Sequence, residues 1–284
     1  MRDIFKIDGP AIISFSGGRT SGYMLWRILQ AHGGVLPSDV KVVFANTGKE
    51  MAETLDFVKA CSDNWNVPIV WVEYRNEDNP EKRWATVSYE TAARNGEPFE
   101  EMIKRKKFLP NPSARFCTVE LKIKTAKMYA QQILGFQNWN SVIGFRADEP
   151  LRVAKLSLPH DEPFERIAPL ATAGIVVSDV GAFWGNQSFD LMLPSVNGRT
   201  MYGNCDVCFL KGHNQRLSMI REQPSRATWW IKAEASIQSS GQAIGDGARF
   251  RKDGPSYQQM YDMAINHDEL FAFDNELADC GCTD

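Results

Sequence analysis

The stretch Ala11-Ile12-Ile13-Ser14-Phe15-Ser16-Gly17-Gly18-Arg19-Thr20-Ser21 decides the fold. Its first five residues form a short apolar run ending in small side chains, which reads as a buried strand. Two glycines follow; they accept positive φ and carry no Cβ to block approach to their backbone amides. Over residues 20–32, Met24, Leu25, Ile28 and Leu29 recur at helical spacing, so the unit is strand, tight turn, helix. Turned amides, the positive end of a helix, the hydroxyls of Ser16, Thr20 and Ser21 and the Arg19 guanidinium together make a phosphate cradle. The pattern is neither GxxxxGK(S/T) nor GxGxxG, which argues against a P-loop NTPase and a dinucleotide fold. Taken alone, the same glycines also suit an ordinary strand-to-helix turn.

The alternation continues outward. Residues 40–45 read as a second buried strand, residues 50–65 as a helix carrying Leu55, Val58 and Cys61 on one stripe, and residues 67–72 as a third strand. Residues 76–116 are polar and basic, punctuated by Pro80, Pro98, Pro110 and Pro112, and read as a loop-rich excursion. A helical pattern returns over 119–134 and a fourth strand over 141–145. This predicts an α/β fold, a doubly wound parallel sheet with helices on both faces, over residues 1–160. A small C-terminal Cys-containing subdomain follows over 161–284, with helical stretches at 226–235 and 256–266. Ligands of such sheets lie outside the carboxyl ends of the strands, where Ser16, Asn46 and Arg146 fall.

The chain has 284 residues, 43% hydrophobic and 24% charged, enough for a sizeable core without disulfide staples. No apolar run approaches the ~20 residues that span a bilayer, and the charges of the first six residues leave no signal-peptide apolar stretch. A cytoplasmic location and no membrane partner are expected. A net charge of −3 gives no global attraction for nucleic acid, which is not a favoured partner. One segment is nonetheless basic, with Lys104, Arg105, Lys106, Lys107, Arg115, Lys122, Lys124 and Lys127; it suits anion contacts or a solvated helix face.

Six cysteines carry the remaining signal. Cys61 sits on an apolar stripe and reads as a packed, inert thiol. Cys205 and Cys208 form a CxxC, and Cys280 and Cys282 a CxC. Thiolates suit soft acceptors such as iron–sulfur clusters or zinc, and four of them complete either.

Several ordered motifs resemble one family. Ser14-Phe15-Ser16-Gly17-Gly18-Arg19-Thr20-Ser21 resembles the SGGxxS loop of the adenine nucleotide alpha-hydrolase (PP-loop) superfamily. Phe44-Ala45-Asn46-Thr47-Gly48 with Glu53-Thr54 and Phe57-Val58 is similar to the DTG…ET..FV segment of its phosphoadenosine phosphosulfate (PAPS) reductases. Arg115-Phe116-Cys117-Thr118-Val119-Glu120-Leu121-Lys122 is similar to their Cys-containing stretch, and the segment from Ile143 through Gly144, Arg146 and Glu149 to Arg152 to their GxRxxEsxxR. The chain departs from the superfamily's ATP-cleaving members at Arg19-Thr20, where they carry Lys-Asp, and from the reductases at Asn46, where they carry Asp.

The resemblance implies an adenine nucleotide, PAPS or Mg-ATP, held by Ser16, Gly17, Gly18, Arg19, Thr20, Ser21, Asn46, Thr47, Gly48, Arg115, Lys122, Gly144 and Arg152. It implies sulfonucleotide reduction, with Arg146 neutralising charge, Cys282 as nucleophile and an external thiol reductant such as thioredoxin. By the same similarity a 4Fe-4S cluster is expected on Cys117, Cys205, Cys208 and Cys280, with Cys282 the alternative fourth ligand; a zinc site pairing CxxC with CxC is the other assignment. Two further functions stay open: an ATP-dependent adenylating sulfurtransferase acting on tRNA or other nucleic acid, and a non-catalytic nucleotide-binding iron–sulfur protein.

Overall fold

The computed structural model describes residues 3–196, 199–203, 205–239 and 248–266. Strand and helix alternate from the start: β1 (Ala11–Phe15), α1 (Arg19–Ala31), β2 (Val40–Asn46), α2 (Ala52–Asn64) and β3 (Ile69–Tyr74). Next come β4 (Trp84–Val87), α3 (Glu97–Lys106), a π-helical segment (Thr118–Ile123) running into α4 (Lys124–Gln132), and β5 (Trp139–Val142). The chain continues through α5 (Pro150–Ala154), β6 (Phe164–Ile167), α6 (Pro169–Thr172), α7 (Val177–Trp184) and a small ribbon of β7 (Ser195–Val196) and β8 (Arg199–Thr200). Three helices close it: α8 (His213–Glu222), α9 (Thr228–Ser239) and α10 (Tyr257–Asn266).

Six strands form one sheet in the order β4-β3-β2-β1-β5-β6. The expected parallel, doubly wound α/β architecture is present, with one correction: the edge strand β4 runs antiparallel to β3. All other pairings are parallel, with Ala11 opposite Val40 and Ala11 opposite Asn140. Strand order reverses at β1, so the crevice beyond β1 and β5 is the switch point where open α/β sheets take ligands.

Alternation along the strands covers both faces. Ile13, Phe15, Val42, Phe44 and Trp71 pack beneath α1, α2 and Trp184 of α7, whereas Ile12, Val43, Val72 and Trp139 meet Tyr129 and Ala130 of α4. A third core joins Phe99 and Met102 of α3 to Phe209, Trp230, Phe250 and Tyr257. Each fully buried large side chain there contributes roughly 1.5–3 kcal/mol of transfer free energy.

Two further readings are corrected. The excursion at 76–116 holds β4 and α3, and the prolines that suggested loop partly start structure, since Pro98 stands in the first turn of α3. Glu97 and Glu100 lie in that first turn and Lys104, Arg105 and Lys106 in the last, matching the helix dipole, so part of the basic run is a helix end. A boundary at residue 160 also cuts the sheet, because β6 pairs with β5 beyond it and α7 packs on α1.

Candidate functional site

The loop after β1 turns because Gly17 sits at φ +79°, and a Cβ there would come 2.6 Å from the Thr54 methyl. The Ser16 amide donates to Ser21 Oγ (3.2 Å), whose hydroxyl donates to the Gly18 carbonyl (2.9 Å). Gly18 caps α1 with extended backbone, so the first amides of α1 point out of the helix without intrahelical acceptors. The end of β5 comes close: a Cβ on Gly144 would lie 3.4 Å from Ser21 Cα.

Two arginines expected on phosphate are engaged by protein. Arg19 makes a bidentate pair with Asp190 (Nε to Oδ1 2.7 Å, Nη2 to Oδ2 2.6 Å) and donates to Thr200 Oγ1 and the Leu193 carbonyl. It ties the loop to the segment before β7. Arg146, which is buried, donates from Nε to Asp148 (2.9 Å) and from Nη1 to Thr20 Oγ1 (2.8 Å), which brings the loops after β1 and β5 together. Its amide donates to Glu149.

Between these loops and α4 lies a cavity of about 350 Å³. It runs from Ser16, Arg115, Lys122, Phe145 and Arg152 at the strand ends down the sheet face to Ile12, Val43, Trp139 and Phe164. Arg152 is 7% exposed, its Nη1 pairs with Glu149, and its guanidinium lies 4.3 Å from the Phe145 ring centre. Its Nε and Nη2 are buried without a hydrogen-bond partner. Buried guanidinium N–H groups without acceptors are costly, and this pair belongs to a cavity wall where an anion would satisfy it. Of the expected site residues, Ser16, Arg115, Lys122 and Arg152 meet on this cavity. Gly144 lies against Ser21, Thr20 accepts from Arg146, and Gly17 faces Thr54, Val58 and Phe44 on the other face of the sheet, while Arg19, Arg146 and Asn46 are bound to other protein groups.

Asn46 ends β2 in full burial and donates from Nδ2 to Glu73 Oε1 (2.6 Å) and to the Ala93 carbonyl (2.8 Å). An amide is required: a carboxylate would face the buried carboxylate of Glu73 with no proton to share. Gly48, at φ +75°, donates its amide to Asn46 Oδ1. Thr47 donates from its amide and hydroxyl to Glu50, and Thr47 Oγ1 lies 3.5 Å from Cys205 Sγ.

This loop is welded to the CxxC. Glu50 and Cys205 form an antiparallel bridge, and the Asp206 amide donates to the Lys49 carbonyl at 2.6 Å. Lys49 is buried against Trp229, 5.1 Å from its ring centre; burial lowers its pKa, and nearby Asp206 works against that. Cys117, Cys205 and Cys208 share the C-terminal core. A hydrogen bond from Cys208 holds the Cys205 thiol below its ordinary range against the effect of burial. Burial pushes Cys117 up to about 12, and the charge of Cys205 adds to that rise. Cys61 is buried on α2 with its pKa driven up, as an inert packed thiol would be. The thiols suit a soft metal in chemistry. Among the described residues, however, no three His, Cys, Asp or Glu side chains gather as a ligand set. Cys280 and Cys282 lie outside the described residues.

Lys127, named in the basic segment, lies on the cavity wall, whereas the sequence reading does not single out Lys155 and Arg166 on that wall or Asp190 on Arg19. Arg166 could have been found from the pattern of Phe164-Glu165-Arg166-Ile167, a strand whose alternate residues face the cavity. Asp190 lies 171 positions from Arg19, and no local pattern announces it. Among the described residues no helix is long and apolar enough to cross a membrane.

Comparison with known proteins locates the chain. Residues 10–172 match the model of the phosphoadenosine phosphosulfate reductase domain. The chain is 33% identical over 208 residues to the uncharacterized nin region protein ORF290 of Escherichia phage lambda, covering 70% of this chain and 66% of that protein. A crystal structure of phosphoadenylyl-sulfate reductase from Candida auris, in complex with phosphate, aligns with 16% identity and a TM-score of 0.37 over 63% of this chain and 72% of that one.

Proposed function

The chain belongs to the phosphoadenosine phosphosulfate reductase domain family, and from that premise we propose that it is a sulfonucleotide reductase-like enzyme that binds an adenine nucleotide in the cavity at the β1/β5 switch point. The observation that carries this reading is Arg152, whose two buried N–H groups lack acceptors on a wall shared with Ser16, Arg115 and Lys122. A phosphate or sulfate group supplies the missing acceptors, and a guanidinium meets either in bidentate fashion.

In the proposed reaction a Cys282 thiolate attacks the sulfonate sulfur, the S–O bond to the nucleotide breaks, and the electron pair leaves with the nucleotide phosphate. A dithiol reductant such as thioredoxin then attacks the resulting S-sulfonate; sulfite departs and the reductant ends as a disulfide. Arg152, Arg115 and Lys122 hold the anionic groups and stabilise the charge on the leaving phosphate. Arg146 acts through position, joining Thr20 and Asp148 so that the two loops keep their spacing.

Cys117, Cys205 and Cys208 are proposed to hold a 4Fe-4S cluster with Cys280 or Cys282 as fourth ligand, zinc being the alternative. The support is the soft-donor chemistry of three buried thiols of one core, with Cys205 against Thr47, although among the described residues they do not gather as a ligand set; a bound cluster would tune local charge there.

Anaerobic purification with iron and sulfide assay, followed by calorimetric titration with PAPS and with ATP, tests the reading. PAPS binding without ATP binding is expected, with iron and sulfide present. ATP binding alone would transfer the protein to the adenylating sulfurtransferases, and silence with both nucleotides would refute the nucleotide site. Zinc in place of iron would remove the cluster. Full sulfite production by Cys282→Ser would dismiss that thiol as nucleophile.

A further inference from the structure

The cavity has two chemically different halves, and the lower one carries its own unmet donor. At the strand ends the wall is cationic, with Arg115, Lys122 and Arg152. Down the sheet face it becomes apolar and aromatic, with Ile12, Val43, Trp139 and Phe164. Arg166 breaks that apolar surface. It projects from β6 opposite Ser141 in the parallel register, two residues below Ile143, or about 7 Å at the rise of a strand. Its Nη2 donates to the Leu158 carbonyl at 2.8 Å, which fixes the side chain, while its Nε–H is buried with no partner. Lys127, on the same wall, is already paired with Glu162 at 2.7 Å.

A ligand that fills both halves has an anionic head and a flat, weakly polar body with an acceptor on its edge. A purine nucleotide has that form. With its phosphate at Arg152, the base of a nucleotide extends along the sheet face to the level of Arg166. A guanidinium N–H can only donate, so the group it meets is a ring nitrogen with a lone pair and not the exocyclic amine of adenine.

We propose that Arg166 is a specificity-determining residue, whose Nε–H donates to a ring nitrogen of the purine base while the strand-end cations hold the phosphate. This rests on the nucleotide-binding reading above and adds to it the residue that reads the base. Its Nε is buried, so the loss of this one bond is not made good by solvent at that atom.

The test is calorimetric titration with adenosine 3′,5′-bisphosphate, its 1-, 3- and 7-deaza analogues, and ribose 5-phosphate as a base-free probe, on wild type, Arg166→Leu and Arg166→Lys. Both substitutions are expected to weaken the bisphosphate about tenfold and to leave ribose 5-phosphate unchanged, because lysine keeps the charge but lacks the Nε–H. One deaza analogue is expected to bind wild type about tenfold more weakly and to bind both variants as the parent nucleotide does. Full affinity in Arg166→Lys, equal weakening of the base-free probe, or equal binding of all three deaza analogues by wild type would each overturn the inference and leave the nucleotide site standing. Wild type that binds neither nucleotide nor ribose 5-phosphate would overturn both. Thermal unfolding of each variant separates loss of binding from loss of fold.

Discussion

The cavity over the strand ends and the cysteine-bearing core are neighbours built on opposite terms. On the cavity side, Arg152 and Arg166 hold buried N–H groups that no protein atom accepts. On the cysteine side, among the described residues, many buried polar groups are answered. Asp206 accepts from Arg226 (3.1 Å), its carbonyl accepts from Trp230 Nε1 (3.0 Å), Tyr257 donates to the Val207 carbonyl (2.7 Å), and Glu234 accepts from the Phe250 and Tyr257 amides. Arg216 leaves Nη1 unpaired there, while its Nε bonds the Lys211 carbonyl. An unanswered buried donor costs about 1–3 kcal/mol, so a fold keeps several on one wall where something else answers them. The contrast separates a surface prepared for a ligand from a scaffold closed on itself, and the loop after β2 belongs to the second kind.

That assignment can be broken most sharply at Asn46. Asn46→Asp turns a donor to buried Glu73 into a like charge, so stability is expected to fall by roughly 3–5 kcal/mol at neutral pH. The loss should shrink in acid, because a protonated aspartate can donate to Glu73 as the amide does. Urea unfolding across pH measures it, and a stable aspartate variant would mean that this loop is open to ligand. Arg152→Leu is the mirror image. It is expected to reduce nucleotide affinity about 30-fold, the equivalent of about 2 kcal/mol for a charged hydrogen-bonding group, while stability falls by about 1–3 kcal/mol as Glu149 loses its partner and the unanswered N–H groups go with the arginine. Calorimetry and urea unfolding of the same sample compare the two, and a variant that loses stability but keeps affinity would reverse the assignment.

The sequence made the frame legible and the allocation of its charges illegible. β1, α1, β2 and α2 followed from periodicity because their burial is local: Met24, Leu25 and Ile28 need only face the sheet. The strand-end position of the site followed from topology. What could not be read was which arginine is free. Arg19 and Arg152 look alike in a motif, yet Arg19 is claimed by Asp190 far along the chain and Arg152 retains open N–H groups. α3 is hidden in the sequence because prolines and lysines read as loop chemistry where here they start and end a helix. Arg166 escaped because β6 lies past the point where apolar alternation fades; its strand is short, and only Phe164 and Ile167 mark it as apolar.

A smaller effect tests whether the loop cation belongs with the scaffold. Arg19→Ala and Asp190→Ala are each expected to cost about 1–2 kcal/mol, since the bidentate pair is 12% and 30% exposed on its two sides. The double variant should cost little more than either single one, and nucleotide affinity should change less than twofold. Affinity that drops further than stability would return Arg19 to the ligand side.

The smallest effect lies inside the closed core, at Glu234. Burial is the main cause that raises its pKa above 4.5, although the amides of Tyr257 and Phe250 pull the other way. The folded protein therefore binds this proton more tightly than the unfolded chain, and stability falls as pH rises from about 4.5 through the folded value. Glu234→Gln keeps an acceptor oxygen for one of the two amides, places its NH2 against the other, and carries no charge at any pH. Relative to wild type it is expected to gain stability as pH rises through that window, by about 1 kcal/mol or less near neutrality. Paired melting curves at pH 4 and pH 7 give the sign. If the variant instead loses ground as pH rises, the ionised carboxylate is a net asset to its two amides, and a buried acid of the scaffold is held as firmly charged as an exposed one.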